Sequence, residues 1–182
     1  MRAPIEHDIG LYHRLFECLD SGELRWRARG LDTIKSKQGV NAWNAKYAGE
    51  LAGTIDERGY VRVSVRKRLL YAHQVAWVLR NGPIPPGMVI DHINHDRADN
   101  SAANLRLVSP RTNGHNMRLK SNNTSGVCGV TRAHRKGAWS ATITIDRRSI
   151  HLGSFSSIEE AASARAVANK KYGFHENHGM PL

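Results

Sequence analysis

The stretch DHINHDRADNSAANLRLVSPRTN, residues 91–113, decides the fold of this chain. It begins inside a short extended segment, MVIDHINHD, and a polar loop separates that segment from a second one, LRLVS. Ser109 as an N-cap and Pro110 at the first helical position then predict a helix that runs to about Leu119. The pattern predicts strand, loop, strand and helix, and it concentrates Asp, His and Asn side chains around the loop.

These side chains suit the hydrolysis of a phosphodiester, which needs a base to activate water and a cation to neutralise charge on the phosphate. His92 is the candidate base, because a neutral, correctly oriented imidazole accepts a proton near neutral pH. Orientation usually requires an acceptor on the other ring nitrogen, and Asn104 is the candidate for that role. Asp91 and Asn113 offer the hard oxygen ligands that one Mg²⁺ (or Mn²⁺) ion prefers.

Two residues are secondary candidates. His95 suits a phosphate contact or a change in the turn, and Asn116 lies three residues after Asn113 on the predicted helix, facing DNA, the metal or solvent. The structural alternative for each candidate is that Asp and Asn form turns and caps while His is a satisfied core residue. That alternative is better for any single residue, but the whole set at this spacing favours a catalytic site.

The same stretch resembles the HNH motif of phage and intron homing endonucleases, with its Asp-His pair, central Asn and helical Asn. The resemblance implies a ββα-metal fold in which His92 would be the base and Asn104 would orient it. Asp91 and Asn113 would hold one divalent ion. Relatives commonly carry a small residue such as Gly where this chain has His95.

A β-hairpin is predicted before the motif, where YVRVSV alternates apolar and polar residues and LLYAH follows a basic turn. Arg66, Lys67 and Arg68 would make its tip strongly cationic and suited to the DNA backbone. A short helix from Ala72 to Arg80 follows. The runs NAKYAGELAGTIDERGYVRVSV and AHQVAW also resemble the N-terminal part of many phage HNH proteins.

The first 60 residues give weaker patterns. A short helix around Leu11 to Leu19 is predicted, followed by an Asp-Ser-Gly turn and a strand at Glu23 to Arg27. No function for this part follows from the sequence.

The last third of the chain predicts a separate module. KSNNTS, residues 120–125, has the composition of a linker. Three strands follow, and a helix with a capping box at Ser157 and Glu160 ends at Gly173. SGVCGVTRAHRKGAWSATITIDRRSIHLGSFSSIEEAASARAVANKKYG resembles DNA-binding domains of the ethylene-response-factor (apetala-two) type, which implies a sheet that lies in the major groove.

Several basic residues and one tryptophan are the candidate DNA contacts, although each alone is more simply explained by solvation or core packing. They are Arg132, Arg135, Lys136, Trp139, Arg147 and Arg148 in the module, Arg66, Lys67 and Arg68 in the hairpin, and Lys120 in the linker.

The fold class expected from these elements is α+β. We expect an N-terminal segment over residues 1–59, packed on a nuclease domain over 60–119, then the linker at 120–125 and the DNA-binding domain over 126–182. The ββα-metal core would occupy the second of these, and a three-stranded antiparallel sheet packed on one helix the last.

Charge and composition agree with a nucleic-acid partner. The formal net charge is +11 and the sequence pI is near 10.2, which points to a polyanionic partner, most commonly nucleic acid. The alternative is a basic protein whose charges only keep it soluble. With the HNH resemblance, the expected partner is double-stranded DNA. The sequence has no apolar run long enough to predict a membrane span, so a cytoplasmic protein is expected. The resemblance to phage HNH proteins implies a phage-encoded protein that acts in the host cytoplasm. Cys18 and Cys128 are too far apart in the sequence for a zinc site and are predicted to be buried free thiols.

The function predicted is a metal-dependent DNA endonuclease with one divalent ion per active site and no structural zinc, acting as a monomer or weak dimer. The main alternative is a non-cleaving sequence-specific DNA-binding regulator that keeps the fold. A nonspecific nuclease is a second alternative.

Overall fold

The computed structural model describes residues 8–134 and 137–180. Arg135 and Lys136, two of the predicted DNA contacts, lie outside the described residues. The α+β prediction is confirmed, since small antiparallel sheets and short helices build the chain. Within the described residues, no helix is both long and apolar enough to cross a bilayer.

The elements follow one another in mixed order along the chain. They are α1 (Ile9–Leu15), β1 (Phe16–Cys18), β2 (Leu24–Trp26), α2 (Lys37–Tyr47), β3 (Thr54–Ile55), β4 (Val61–Val65), β5 (Arg68–Tyr71), α3 (Ala72–Asn81), β6 (Val89–His92), β7 (Leu105–Val108), α4 (Pro110–Gly114), β8 (Val130–Arg132), β9 (Trp139–Ile145), β10 (Arg148–Phe155) and α5 (Ile158–Lys171).

The chain divides into two compact units, and the boundary along the sequence lies between Ser109 and Pro110. The first unit holds three separate sheets, β1-β2, β3-β4-β5 and β6-β7, and the second holds β8-β9-β10. The core of the first unit comes from one face of α1, from β4 and β5, and from the buried side of α3. Val63 and Val75, at 1% and 0% exposed, lie at its centre.

The predicted hairpin and helix before the motif are confirmed. β4 and β5 pair antiparallel with Val65 opposite Arg68, so Arg66 and Lys67 form a two-residue turn. α3 follows directly and ends where Gly82 takes a positive φ of 83°, a backbone conformation that glycine adopts without steric cost.

The N-terminal part departs from the prediction. α1 ends at Leu15, not near Leu19, because Phe16–Cys18 leaves the helix and pairs with Leu24–Trp26 as a strand. The eleven-residue helix α2 was not predicted at all. It has no buried residue, so the apolar periodicity that marks a helix in a sequence is missing there.

In the second unit the predicted three strands and capped helix are confirmed. β9 pairs with both β8 and β10, and α5 packs on this sheet through Ala161 and Ala168. Ser157 Oγ accepts a hydrogen bond from the Glu160 amide, while Glu160 Oε2 returns to the amide of Ser156. The guanidinium of Arg165 is buried on the same helix and donates to the Thr142 carbonyl.

The helix after the motif is shorter than predicted. α4 ends at Gly114, and residues 115–119 instead hydrogen-bond to residues 175–180 of the same unit. Leu119 N donates to Met180 O at 3.1 Å, for example. Asn116 therefore does not continue the helical face of Asn113, as the sequence predicted, but follows in a turn. The two cysteines are free, as predicted, but half-buried rather than buried.

Candidate active site

The β6-β7 pair carries the Asp-His pair of the motif. Asp91 lies opposite Arg106 and His92 lies opposite Leu105 in the antiparallel register. Both side chains are buried, at 8% and 5% exposed. Neighbouring residues of a strand point to opposite faces, so the two groups serve different surroundings.

The ring of His92 is held by Asn100. Nε2 lies 3.1 Å from Asn100 Oδ1 in a buried hydrogen bond. An amide oxygen only accepts, so Nε2 carries the hydrogen and the lone pair of the neutral ring lies on Nδ1. Burial lowers the pKa of His92, while the Asn100 hydrogen bond and the carboxylates of Asp91, Asp99 and Asp96 act in the opposite direction. The ring is therefore neutral at pH 7 and able to accept a proton.

Asn100 is itself fixed by the N-terminal part of the first unit. Its carbonyl accepts a hydrogen bond from Arg80 Nη1 at 3.2 Å. Gly22, in the turn between β1 and β2, packs so closely on the same carbonyl that a Cβ there would overlap it. Gly22 also has a φ of 86°, a conformation that favours glycine. A larger residue would therefore be excluded both by the overlap with Asn100 and by the backbone conformation. The β1-β2 turn thus supports the loop that orients His92.

Asn104, the residue predicted to orient His92, braces the loop backbone. Its Oδ1 accepts from the Asn94 amide at 2.9 Å and its Nδ2 donates to the Asp99 carbonyl at 2.7 Å. The Asn104 carbonyl also accepts from the Ile93 amide. These bonds close the loop between β6 and β7 and hold Asn94 and Asp99 in place. A direct role of Asn104 on the ring stays a prediction.

Asp91 forms an ion pair across the strand pair. Arg106 Nε and Nη2 lie 3.0 and 2.8 Å from Asp91 Oδ2. The Asp91 side chain is 9% exposed and the Arg106 side chain is 25% exposed, so the carboxylate is largely shielded from water. Such a carboxylate is a hard oxygen donor of the kind that suits Mg²⁺.

Two rings, those of His73 and Tyr60, pack against the ring of His92. The His73 ring meets it edge-on, with centroids 4.9 Å apart, and Tyr60 lies 6.0 Å from it. His73 stacks on Tyr71 at 5.3 Å. Burial lowers the pKa of His73 to about 3, and its Nδ1 has no hydrogen-bond partner among the described residues. His73 is thus a neutral ring packed against the candidate base.

Comparison with known proteins identifies this arrangement. Residues 70–115, from β5 to just past α4, match the model of the HNH endonuclease family. Protein 3.8 of Escherichia phage T7 is 34% identical over 90 residues, which are 50% of this chain and 74% of that protein. The chain belongs to the HNH endonuclease family.

Two further proteins are similar to parts of this chain. An uncharacterized HNH endonuclease of Acanthamoeba polyphaga mimivirus is 35% identical over 57 residues, 31% of this chain and 30% of that protein. The HNH homing endonuclease I-HmuI, from a structure of its DNA binding and cleavage, aligns with a TM-score of 0.40 and 21% identity over 60% of this chain and 55% of its own. The chain thus spans little more than half of I-HmuI and under a third of the mimivirus protein.

The remaining predicted site residues, His95, Asn113 and Asn116, differ from one another in burial. His95 is buried and has a φ of 67°, a left-handed conformation that explains why a small residue such as Gly suits this turn. Asn113 is exposed on α4 of the second unit, and Asn116 is buried. Among the described residues, no three His, Cys, Asp or Glu side chains converge as metal ligands.

Most of the predicted DNA contacts are exposed where they are described. Arg66 and Lys67 have φ of 48° and 63°, and Arg147 has 64°. The Trp139 ring is half-buried against the small core of the second unit, with the Arg132 guanidinium 4.9 Å above it. Trp139 is therefore partly a core residue, which agrees with the alternative explanation of core packing.

Sequence reasoning missed three residues of the site: Asn100, Arg106 and His73. Asn100 lies inside the quoted motif, but the motif offers several asparagines and spacing cannot choose among them. Arg106 could have been predicted from the strand register, because counting outward from the loop places it opposite Asp91. No pattern in the sequence indicates His73, which contacts His92 only through tertiary packing.

Proposed function

We propose that this HNH endonuclease hydrolyses DNA phosphodiester bonds with His92 as general base and one divalent cation, Mg²⁺ or Mn²⁺, held by Asp91 and Asn113. The observation that carries the proposal is the neutral, buried imidazole of His92. Its Nε2 is fixed by Asn100 and its Nδ1 bears the lone pair. A base in this state is ready to take a proton at neutral pH.

In the proposed reaction, His92 Nδ1 takes a proton from water while the water oxygen bonds to phosphorus in line with the leaving group. The bond from phosphorus to the 3′-oxygen breaks, and that oxygen takes a proton from solvent. The products carry 5′-phosphate and 3′-hydroxyl ends. A bound divalent cation would supply positive charge next to the phosphate and the departing oxygen.

The proposed cation ligands are a carboxylate and an amide oxygen, which fit Mg²⁺ better than a soft metal. Asp91 would share its carboxylate between Arg106 and the ion, and Arg106 would keep that carboxylate oriented. Asn104 would act as a positioning residue through the loop it closes.

We further propose that the part of the second unit from residue 126 onward binds the target DNA, with the β4-β5 hairpin as an additional phosphate contact. Support comes from the backbone of the turns. Two-residue hairpin turns favour Asn-Gly or Asp-Gly because both positions have positive φ, yet this chain has Arg66-Lys67 and Asp146-Arg147 there. Arg66, Lys67 and Arg147 are exposed at the tips of these two hairpins, where a cation can contact a phosphate.

The test is cleavage of supercoiled phage DNA by the full chain and by His92→Ala, with Mg²⁺ or with chelator. The native protein should give open-circle or linear product only with Mg²⁺, and His92→Ala should bind DNA and leave it intact. His13→Ala, an exposed histidine on α1, is the matched control and should cleave as the native protein does. Cleavage by His92→Ala at the native rate would overturn the assignment of the base.

The alternatives give different results in the same assay. A non-cleaving regulator would bind DNA with no product under any condition. A nonspecific nuclease would give a smear on long DNA, whereas a target recognised by the second unit would give discrete sites.

A further inference from the structure

Helix α2 presents an unusual surface in a part of the chain that the proposed catalysis does not use. Its residues lie on two opposite sides. Val40, Trp43 and Asn44 are partly buried on the inner side, while the residues of the outer side are exposed. At 100° per residue, the outer side is a face about 100° wide formed by Gln38, Asn41, Ala42 and Ala45, and we call it the α2 outer face.

The inner side fixes α2 firmly to the first unit. Asn44 Oδ1 accepts from the Arg29 amide at 2.8 Å, and Asn44 Nδ2 donates to the Arg29 carbonyl at 3.0 Å. The Arg29 guanidinium lies 3.8 Å from the centre of the Trp43 ring, and Trp43 meets Trp26 edge-on at 5.7 Å. The helix is therefore a rigid platform, although none of its residues is fully buried.

The two charged side chains of α2 are both cationic. Lys37 and Lys46 flank the α2 outer face on either side and both are exposed. Residues 25–47 contain six Lys and Arg residues against the single acid Asp32, and one of the six, Arg29, lies on the inner side against Trp43. The three ion pairs found among the described residues involve none of these cations. A basic surface without internal counter-ions attracts a polyanion.

The side chains of the α2 outer face suit bases rather than another protein. Gln and Asn make paired hydrogen bonds to the N6 and N7 edge of adenine in the major groove. Ala42 and Ala45 are small enough to let a helix axis approach closely. The face has no large apolar side chain, which a protein interface normally uses as its anchor.

Size agrees with the same partner. Eleven residues give a helix about 16 Å long and about 10–12 Å across, and the major groove of B-form DNA is about 12 Å wide. Ser36 caps the N-terminus through its Oγ, which accepts from the Gly39 amide at 3.1 Å, so the first turn is ordered without a partner.

We propose that α2 lies in the major groove of duplex DNA, with Gln38 and Asn41 at base edges and Lys37 and Lys46 on the flanking phosphates. The inference rests on the proposed function, which makes DNA the partner of this chain. It adds to that function an element of the first unit that reads the DNA sequence. The chain would then hold its target through α2 as well as through the second unit.

The first experiment measures binding of a 40-base-pair mixed-sequence duplex by the full chain in chelator, at several salt concentrations. Lys37→Ala and Lys46→Ala should each weaken binding and lower the slope of log affinity against log salt by about 0.9, the value for one phosphate contact. Arg14→Ala, an equally exposed cation on α1, should leave the slope unchanged. Slopes that match Arg14→Ala in both lysine variants would overturn the proposal.

The second experiment selects bound duplexes from a randomised pool with the native chain and with Gln38→Ala/Asn41→Ala. The variant should lose preference at adenine-containing positions by roughly 5- to 100-fold, the range for one paired amide contact. Identical selected sequences would overturn the groove assignment. Native protein that binds no duplex at all would instead refute the proposed function, and native cleavage with unchanged α2 variants would refute only this inference.

Discussion

Arg106 donates two hydrogen bonds to one oxygen of Asp91, at 3.0 and 2.8 Å, directly across the β6-β7 strand pair. The pair joins the candidate cation ligand to the second strand of the motif. It couples the chemistry of the site to the stability of the small sheet that carries His92. Several tests follow from this and from the neighbouring contacts.

Arg106→Met should lower the free energy of unfolding by about 1–3 kcal/mol, because it leaves the shielded Asp91 carboxylate without its charged donor. Arg111→Met is the control. It breaks the Arg111–Asp146 pair, whose side chains are 64% and 58% exposed, and should cost less than about 1 kcal/mol. Urea unfolding measures both. Equal losses in the two variants would mean that burial does not strengthen the Asp91 pair.

Asn100→Ala should reduce kcat by about 10- to 100-fold with unchanged DNA affinity, because the His92 ring loses the acceptor that sets its tautomer. Asn104→Ala should mainly reduce stability, by about 1–3 kcal/mol, since its side chain holds two backbone groups of the loop. Single-turnover cleavage and thermal unfolding separate the effects. A larger loss of kcat for Asn104→Ala in a fully folded protein would restore Asn104 as the direct orienting residue.

His73 should make the protein acid-sensitive. Burial lowers its pKa to about 3, in contact with His92, Tyr60 and Tyr71 and with Arg62 nearby, whereas the unfolded chain protonates the same residue near pH 6.5. Below pH 6.5 the unfolded state binds more protons than the native state, so the free energy of unfolding falls as pH falls. The contribution is at most about 1.4 kcal/mol per pH unit.

His73→Phe keeps a ring of similar size and removes this proton, so its free energy of unfolding should change less between pH 6.5 and pH 4 than that of the native protein. Val75→Ala weakens the same helix without removing a titratable group and should keep the native pH dependence. Urea unfolding at several pH values measures the difference. A native pH dependence in His73→Phe would show that the buried ring is protonated at little cost.

Lys67→Gly and Arg147→Gly should weaken DNA binding without destabilising the fold. Both residues have positive φ, where glycine avoids a steric cost of about 1 kcal/mol. Each substitution should lower the salt slope of DNA binding by about 0.9 if the side chain contacts one phosphate. Lys67→Asn, which also tolerates this conformation, should behave like Lys67→Gly. If Lys67→Gly lowered the free energy of unfolding and kept the native salt slope of DNA binding, the Lys67 side chain would contribute to stability and not to DNA binding.

Elements with regular periodicity were predictable. The β4-β5 hairpin, α3 and the strands and helix of the second unit follow from alternating or helical patterns and from caps such as Ser157. Elements held by polar side chains were not. α2 depends on Asn44 bonded to Arg29 and on the stacked Trp43, and such contacts leave no apolar repeat in a sequence.

The sequence by itself determined the family motif, the candidate base His92 beside Asp91, the α+β class and the basic character that favours DNA. Tertiary structure alone decided that Asn100 contacts the base, that Arg106 pairs with Asp91 and that His73 stands behind His92. The physical reason is range. Local patterns record backbone periodicity and capping, whereas these partners come from a loop, an opposite strand and a packed helix, whose meeting is set by strand register and core packing.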